Sequence, residues 1–228
     1  MTDKSAVVLL SGGIDSATVL GIAAAEGYEI FALTFNYGQR HSRELISAKD
    51  LAKHYKVKAH EIIKLDLHKI STSALTDHKL LIPENRSITD ISKEIPTTYV
   101  PARNLIMLSC AVAWAESIKA NAVFLGVNAV DYSGYPDCRP EFISAFSTAA
   151  KLGTKIGLEG KAIEIKHPLI TLSKGEIIRK GYELNVPYKL TWSCYKGGSR
   201  ACGSCDSCVL RLKGFSEAGI GDPIEYQD

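Results

Sequence analysis

Short runs of Val, Ile and Leu alternate with longer stretches of helical spacing over the first two thirds of the chain, and this alternation restricts the fold more than any other feature. Strands buried on both faces need helices on both faces, so the pattern predicts an α/β fold with a doubly wound, mostly parallel sheet. Strands are expected at 6–10, 29–35, 59–64, 122–127 and 162–167, with helices near 16–25, 43–55, 103–117 and 140–152. A further helix is expected to open at Ser173 and run to about Glu183, because Ser173 and Glu176 have the spacing of a capping box. The segment 66–98 is polar and broken by Pro83 and Pro96, which predicts an excursion or lid over the carboxyl edge of the sheet instead of a core element.

Composition sets limits on function. Of 228 residues, 46% are hydrophobic, so a sizeable core can form. Lys and Arg total 27 against 25 Asp and Glu, and a net charge of +2 gives no electrostatic reason to expect a stable nucleic-acid partner. No window approaches the ~18 apolar residues of a membrane span, and the N-terminal apolar run is short for a secretory signal. The chain therefore reads as cytoplasmic, with no membrane partner. Its oligomeric state stays open, a homodimer being one outcome.

Directly after the first strand come Ser11, Gly12, Gly13, Ile14, Asp15 and Ser16, followed by a helix of small residues. Strand, glycine turn and helix N-terminus in this order make an anion site: backbone N–H groups close on phosphate oxygens, the helix dipole points its positive end there, and the hydroxyls of Ser11 and Ser16 add donors. A tight strand-to-helix turn without a ligand would use the same glycines. Asp15 favours the ligand, because a carboxylate beside a phosphate site is accounted for if it helps hold Mg²⁺ on a nucleotide. The loop is neither a Walker A motif nor G-x-G-x-x-G.

Cys194, Cys202, Cys205 and Cys208 are spaced C-x₇-C-x₂-C-x₂-C. Such gaps let four thiolates converge on one tetrahedral ion, and a closed four-sulfur site makes the metal structural. Zinc is the expected ion, and an iron–sulfur cluster fits the same spacing. Cys110, inside an apolar helix, reads as packing.

Three polar and aromatic clusters stand at expected strand or helix ends, the edge where open α/β sheets bind ligands. The first holds Tyr37 and Gln39, the second Arg103 and Asn104, the third Asn128, Asp131, Ser133, Tyr135 and Asp137, with Phe142 following. Arg103 can clamp a phosphate or carboxylate, or can be surface charge at a helix start. In the third cluster a carboxylate, Asp131 or Asp137, can accept from the N–H edge of a flat heterocycle while Tyr135 or Phe142 covers its face; ordinary solvated turns use the same residue types.

S-G-G-x-D-S joining a first strand to a helix resembles the motif of the PP-loop ATP pyrophosphatase superfamily. Members have an adenine nucleotide alpha hydrolase-like fold, adenylate a substrate oxygen, release pyrophosphate and let a nucleophile displace AMP. Together with the NYGQRH, YVPARN and GVNAVDYSGYPDCRPEF segments and the four-cysteine tail, it resembles the 7-cyano-7-deazaguanine synthase family of queuosine biosynthesis over almost the whole chain. The resemblance implies an ATP-dependent carbon–nitrogen ligase that turns 7-carboxy-7-deazaguanine and ammonia into the nitrile, with zinc in the tail. It carries the ATP loop onto Leu10, Ser11, Gly12, Gly13, Ile14, Asp15, Ser16, Ala17, Thr18, Val19 and Leu20. Ser11, Asp15 and Ser16 of that loop and, from its residue chemistry, Arg103 are the expected catalytic residues. The expected organisation is a nucleotide-binding α/β domain over 1–190 and a zinc-binding segment over 191–228 packed on it. Two other readings are compatible with parts of the pattern: a different PP-loop enzyme that thiolates or aminates a tRNA base, and a zinc-knuckle nucleic-acid binding module.

Overall fold

The computed structural model describes residues 4–40, 42–91, 95–128 and 135–227. Among them, five parallel strands form one sheet in the order β3-β2-β1-β4-β5. They are β1 (Ser5–Leu9), β2 (Glu29–Asn36), β3 (Ala59–Lys64), β4 (Ala122–Phe124) and β5 (Glu164–Lys166). The helices are α1 (Ile14–Ala25), α2 (Arg43–His54), the single turn α3 (Ile88–Ile91), α4 (Arg103–Ile118), α5 (Pro140–Gly153), the single turn α6 (Lys155–Leu158), α7 (Lys174–Glu183) and α8 (Asp206–Ala218).

Strand residues alternate between two cores, which is what a sheet covered on both faces requires. Ala6 and Val8 of β1 face one core with Ala17 and Leu20 of α1, Leu51 of α2 and Ile177 of α7. Val7 faces the other, with Leu108 and Ala111 of α4 and Ile143 of α5. The expected doubly wound α/β fold is therefore observed. The strand order reverses between β1 and β4, and Val7 of β1 pairs in register with Phe31 of β2 on one side and Val123 of β4 on the other. At such a switch point the chain leaves the sheet in opposite directions and opens a crevice at the carboxyl ends of the strands.

Two expectations need correction. Strand β4 ends at Phe124, short of 127, because Gly126 passes tightly over the start of α1: a Cβ there would lie 3.1 Å from the Asp15 carbonyl carbon and 3.2 Å from the Ser16 nitrogen. The described part of 66–98 is more than an excursion. Leu67 and Leu75 belong to the second core, and Ser73 and Ala74 are fully buried. The same segment is fastened to the C-terminal region, with Asn85 N–H donating to the Ser204 carbonyl (2.8 Å) and Arg86 paired with Asp206 (3.1 Å). The segment 191–228 also contains a full helix that the sequence reading did not place, α8, whose Phe215 enters the first core beside α7.

The capping box of α7 forms as expected. Ser173 N–H donates to Glu176 Oε2 at 2.8 Å, and the Ser173 hydroxyl accepts from the Glu176 N–H. It sets where α7 begins, and with it the position of Lys174.

Candidate active site

The glycine turn after β1 opens into a cavity of about 300 Å³ at the switch point, lined by Leu10, Ser11, Gly13, Ile14, Asp15 and Ser16. Ser11 and Ser16 hydroxyls meet at 3.0 Å, and the Ser16 hydroxyl also donates to the Gly13 carbonyl (3.1 Å), so both are held at the mouth of α1. Gly12 does a different job. With φ +90° it packs its α-carbon against α2, where a Cβ would overlap the Glu44 carbonyl and come within 2.9 Å of the Ala48 nitrogen. Its own carbonyl accepts from Trp192 N–H at 2.9 Å, tying the loop to the segment that leads into the cysteine tail. Ala17, Val19 and Leu20 face the core, and Thr18 bonds the Tyr188 hydroxyl at 2.8 Å; these four hold α1 in place and do not line the cavity.

Asp15 is embraced from two elements. Lys174 Nζ lies 2.9 and 2.8 Å from its two carboxylate oxygens, and Asn128 Nδ2 lies 3.2 Å from Oδ2. Lys174 occupies the first turn of α7, where a cation is disfavoured by the helix dipole, and it lines the cavity. Nothing in the spacing of Asp15 and Lys174, 159 residues apart, announces this pair. A lysine directly behind a capping serine at the carboxyl edge of a sheet was the available signal.

Arg103 opens α4 in the same way, aimed by an unusual backbone. Ala102 before it is left-handed, φ 55° and ψ 22°, a conformation that costs a non-glycine residue ~1 kcal/mol or more. The Tyr99 hydroxyl holds it, accepting from Ala102 N–H at 3.1 Å. The guanidinium lies 5.7 Å from the centre of the Tyr37 ring. Burial opposes its charge, but the phenols of Tyr37 and Tyr135, the Cys138 thiol and the Asp137 carboxylate outweigh that and hold its pKa above the ordinary arginine value. Tyr37 is itself kept a neutral phenol, its pKa pushed up by burial and then by Glu44.

Around Arg103 the cavity becomes aromatic. Tyr37, Tyr135, Tyr195 and Trp192 line it together with Met107 and Leu125. Tyr135 and Tyr195 are hydrogen-bonded to each other, and burial pushes the Tyr195 phenol well up. Flat rings and two cationic helix starts in one crevice suit a planar heterocycle bearing an anionic group beside a nucleotide phosphate.

Of the residues expected in the substrate clusters, Tyr37, Asn104 and Tyr135 line this cavity with Arg103. Gln39 supports it, accepting from Tyr37 N–H at 2.8 Å. Asn128, fully buried, reaches it through Asp15. Asp137 is also buried and turns to α4, where Oδ2 accepts from Asn104 N–H at 2.8 Å; its place is the cap of the helix that carries Arg103. Phe142 packs against Phe146, ring centres 6.1 Å apart. Asp131 and Ser133 lie outside the described residues. Besides Lys174, the cavity includes Glu44 in the first turn of α2, Ser193, Ser207 and Arg211, none of them singled out by the sequence. Burial pushes the Glu44 carboxyl up to about 7, against the pull of Arg103 and a hydrogen bond from Gln39.

The four tail cysteines converge. Their sulfurs all lie within 4.8 Å of one another, with Cys202 and Cys208 3.9 Å apart. A tetrahedral metal with ~2.3 Å bonds to sulfur places its ligands about 3.8 Å apart, so the set fits one soft ion. Backbone donors point at the sulfurs, Cys202 N–H to Cys194 Sγ (3.4 Å) and Cys205 N–H to Cys202 Sγ (3.3 Å). Trp192, Ser193 and Tyr195 flank Cys194, and Ser207 and Leu210 flank Cys208, so the segments that bring the four sulfurs together also build one cavity wall. Arg211, 1% exposed, holds that wall through both oxygens of Asp222 (2.7 and 2.9 Å) and the Thr191 hydroxyl (2.9 Å).

A parallel sheet with a glycine turn running into a helix start at its switch point defines a doubly wound α/β protein of the PP-loop fold class. Within that class, the chain belongs to the 7-cyano-7-deazaguanine synthase family: residues 5–219 match the family described as Queuosine biosynthesis protein QueC. It is 57% identical over 225 residues to the 7-cyano-7-deazaguanine synthase of Acetivibrio thermocellus, covering 99% of each chain. To the enzyme of the same name from Thermoplasma acidophilum it is 58% identical over 227 residues, covering 100% of this chain and 94% of the relative. Among solved structures it is similar to NMN synthetase from Francisella tularensis, with a TM-score of 0.51, 16% identity, and coverage of 96% of this chain and 78% of that one. At that identity the likeness is one of fold. No helix among the described residues is long and apolar enough to cross a membrane.

Proposed function

We propose that the chain converts 7-carboxy-7-deazaguanine, ammonia and ATP to 7-cyano-7-deazaguanine, AMP and pyrophosphate. The observation that carries this reading is one cavity in which the phosphate loop, Lys174 and Arg103 meet an aromatic end built from Tyr37, Tyr135 and Tyr195. A carboxylate is inert because oxide is a poor leaving group. Attack of its oxygen on the α-phosphorus of ATP expels pyrophosphate and makes AMP the leaving group. Ammonia then displaces AMP and forms the amide. A second adenylation, on the amide oxygen, allows loss of AMP and leaves the nitrile.

In this reading the N–H groups and hydroxyls from Ser11 to Ser16 hold the departing pyrophosphate, an electrostatic contribution that is preorganised because α1 is packed on all sides. Arg103 binds the carboxylate of the acid or the α-phosphate. Asp15 would hold Mg²⁺ brought in with the nucleotide, an ion that supplies charge neutralisation on the phosphates. Because the same oxygens are paired with Lys174, the two uses exclude each other, and Lys174 is the cation released to the phosphates when Asp15 takes the ion. A carboxylate of the 128–139 loop reads the N–H edge of the base; Asp137 has one oxygen engaged at α4, which favours Asp131 for this role. The tail ion is Zn²⁺, held by Cys194, Cys202, Cys205 and Cys208, with an architectural role. A cytoplasmic setting suits four metal-binding thiols, which need a reducing compartment.

Mass spectrometry of the products after incubation with ATP, Mg²⁺, ammonium and the deazaguanine acid tests the proposal. Nitrile with AMP and pyrophosphate is expected. ADP with phosphate, or an unchanged acid, would refute it.

A further inference from the structure

We propose that the Glu44 carboxylate binds the ammonium ion inside the cavity and takes a proton from it, serving as the base that prepares the nitrogen nucleophile of the activity proposed above. Among the described residues two carboxylates line the cavity, Asp15 and Glu44. Asp15 is already neutralised by Lys174. Among the described residues no cation stands within ion-pair distance of Glu44; Arg103 acts on it from farther away, and Gln39 donates a hydrogen bond to it. A half-buried carboxylate without a direct counter-ion favours a cationic ligand. The acid, ATP and pyrophosphate are all anions, which leaves ammonium as the reactant of matching charge.

The position is fixed. Glu44 sits in the first turn of α2, and its carbonyl is the atom against which Gly12 packs, so the side chain is indexed to the phosphate loop. The titratable and charged groups facing it are Tyr37 from the end of β2 and Arg103 from α4, while Asp15 and Lys174 line the same cavity and Arg43 beside it lies over the Trp192 ring. Burial brings the carboxyl up to about 7, closer to the weakly acidic ammonium than an ordinary glutamate would be. One proton then passes from ammonium to the carboxylate. The nitrogen lone pair forms the C–N bond, the bond from carbon to the adenylate oxygen breaks with its electron pair going to AMP, and the second proton leaves the new amide nitrogen for water.

This rests on the proposed reaction, so the test separates the two. Acid-dependent exchange of labelled pyrophosphate into ATP reports adenylation without ammonium. In the full-length metal-loaded protein, Glu44→Gln should keep that exchange within about threefold of the native level while kcat/KM for ammonium falls ~10²-fold or more at about pH 7. The defect should shrink toward about pH 9, because free ammonia needs no base. Ammonium dependence like that of the native protein, a defect equal at every pH, exchange lost in parallel, or a raised Mg²⁺ requirement in place of an ammonium defect would each overturn the assignment. Should Glu44→Gln not fold, Glu44→Asp keeps a base of shorter reach: a reduced kcat/KM for ammonium with the acid limb retained supports the proposal, and native kinetics overturn it. Absence of acid-dependent exchange in the native protein would instead defeat the proposed reaction, and this inference with it.

Discussion

Lys174 Nζ bonds both carboxylate oxygens of Asp15, at 2.9 and 2.8 Å, and so chains the first turn of α7 to the first turn of α1 beside the glycine turn. Both side chains are mostly buried, 12% and 23% exposed. Each sits at a helix start: the carboxylate gains from the dipole and the ammonium does not, so the lysine is held there by its partner.

Replacing Lys174 with Met should lower pyrophosphate formation by ~10²-fold, the scale of losing one preorganised donor. It also leaves a largely buried carboxylate without its counter-ion, so the variant should be less stable than the double variant Asp15→Asn with Lys174→Met. Activities of the two single variants and the double should be far from additive. Urea unfolding and pyrophosphate assays on all three check this; additive losses would show that the pair does not act as a unit.

Gly12 and Gly13 are neighbours with opposite expectations. At Gly12, φ of +90° and the close approach to Glu44 and Ala48 mean that Ala should destabilise the fold by ~2 kcal/mol or more. At Gly13 a Cβ meets only ordinary contacts, the nearest being Ser11 Oγ at 3.6 Å, and φ is −83°. Gly13→Ala should fold normally and lose nucleotide affinity because it intrudes on the phosphate crib. Equal melting temperatures for the two variants would refute the distinction.

Stability should carry the signature of Glu44. Its ordinary value is 4.5 and burial raises it to about 7, so between these limits the folded state holds a proton that the unfolded chain has released. The stabilisation is complete below the lower limit and is lost as pH rises through about 7. The difference in unfolding free energy between the native protein and Glu44→Gln should therefore fall over that window and level off above it. A pH-independent difference would place the carboxyl at its ordinary value.

Metal removal should reach the cavity. Because Cys194 and Cys208 are interleaved with the wall residues Trp192, Ser193, Tyr195, Ser207 and Leu210, chelation or Cys202→Ser should lower both the melting temperature and substrate affinity, and added zinc should restore both after chelation. Elemental analysis should find about one zinc per chain. Iron with a visible absorption band, or full activity without metal, would contradict the assignment.

The sheet, the positions of its main helices and the glycine turn after the first strand were legible because each rests on local pattern: short continuous apolar runs, helical spacing, paired glycines after a strand. The four thiols were legible for the same reason. What escaped was long-range. Lys174 and Asp15 meet only because α1 and α7 begin side by side, and Glu44 enters the site only because Gly12 docks on α2. Helix α8 was hidden by its own cysteines: Cys205 caps it and Cys208 lies on its buried face, so metal-ligand spacing masked helical periodicity. Asp137 looked like a ligand group for its type and neighbourhood, yet the structure gives one of its oxygens to the α4 N-terminus.

In the proposed reaction the substrate carboxylate is activated by adenylation in the cavity between the glycine turn and Arg103. The most direct test of this step is oxygen transfer from the substrate itself. With the deazaguanine acid labelled by ¹⁸O in both carboxylate oxygens, each nitrile formed should be accompanied by two molecules of AMP, each carrying one label, and by unlabelled pyrophosphate. Label in inorganic phosphate or pyrophosphate, or AMP without label, would contradict the account.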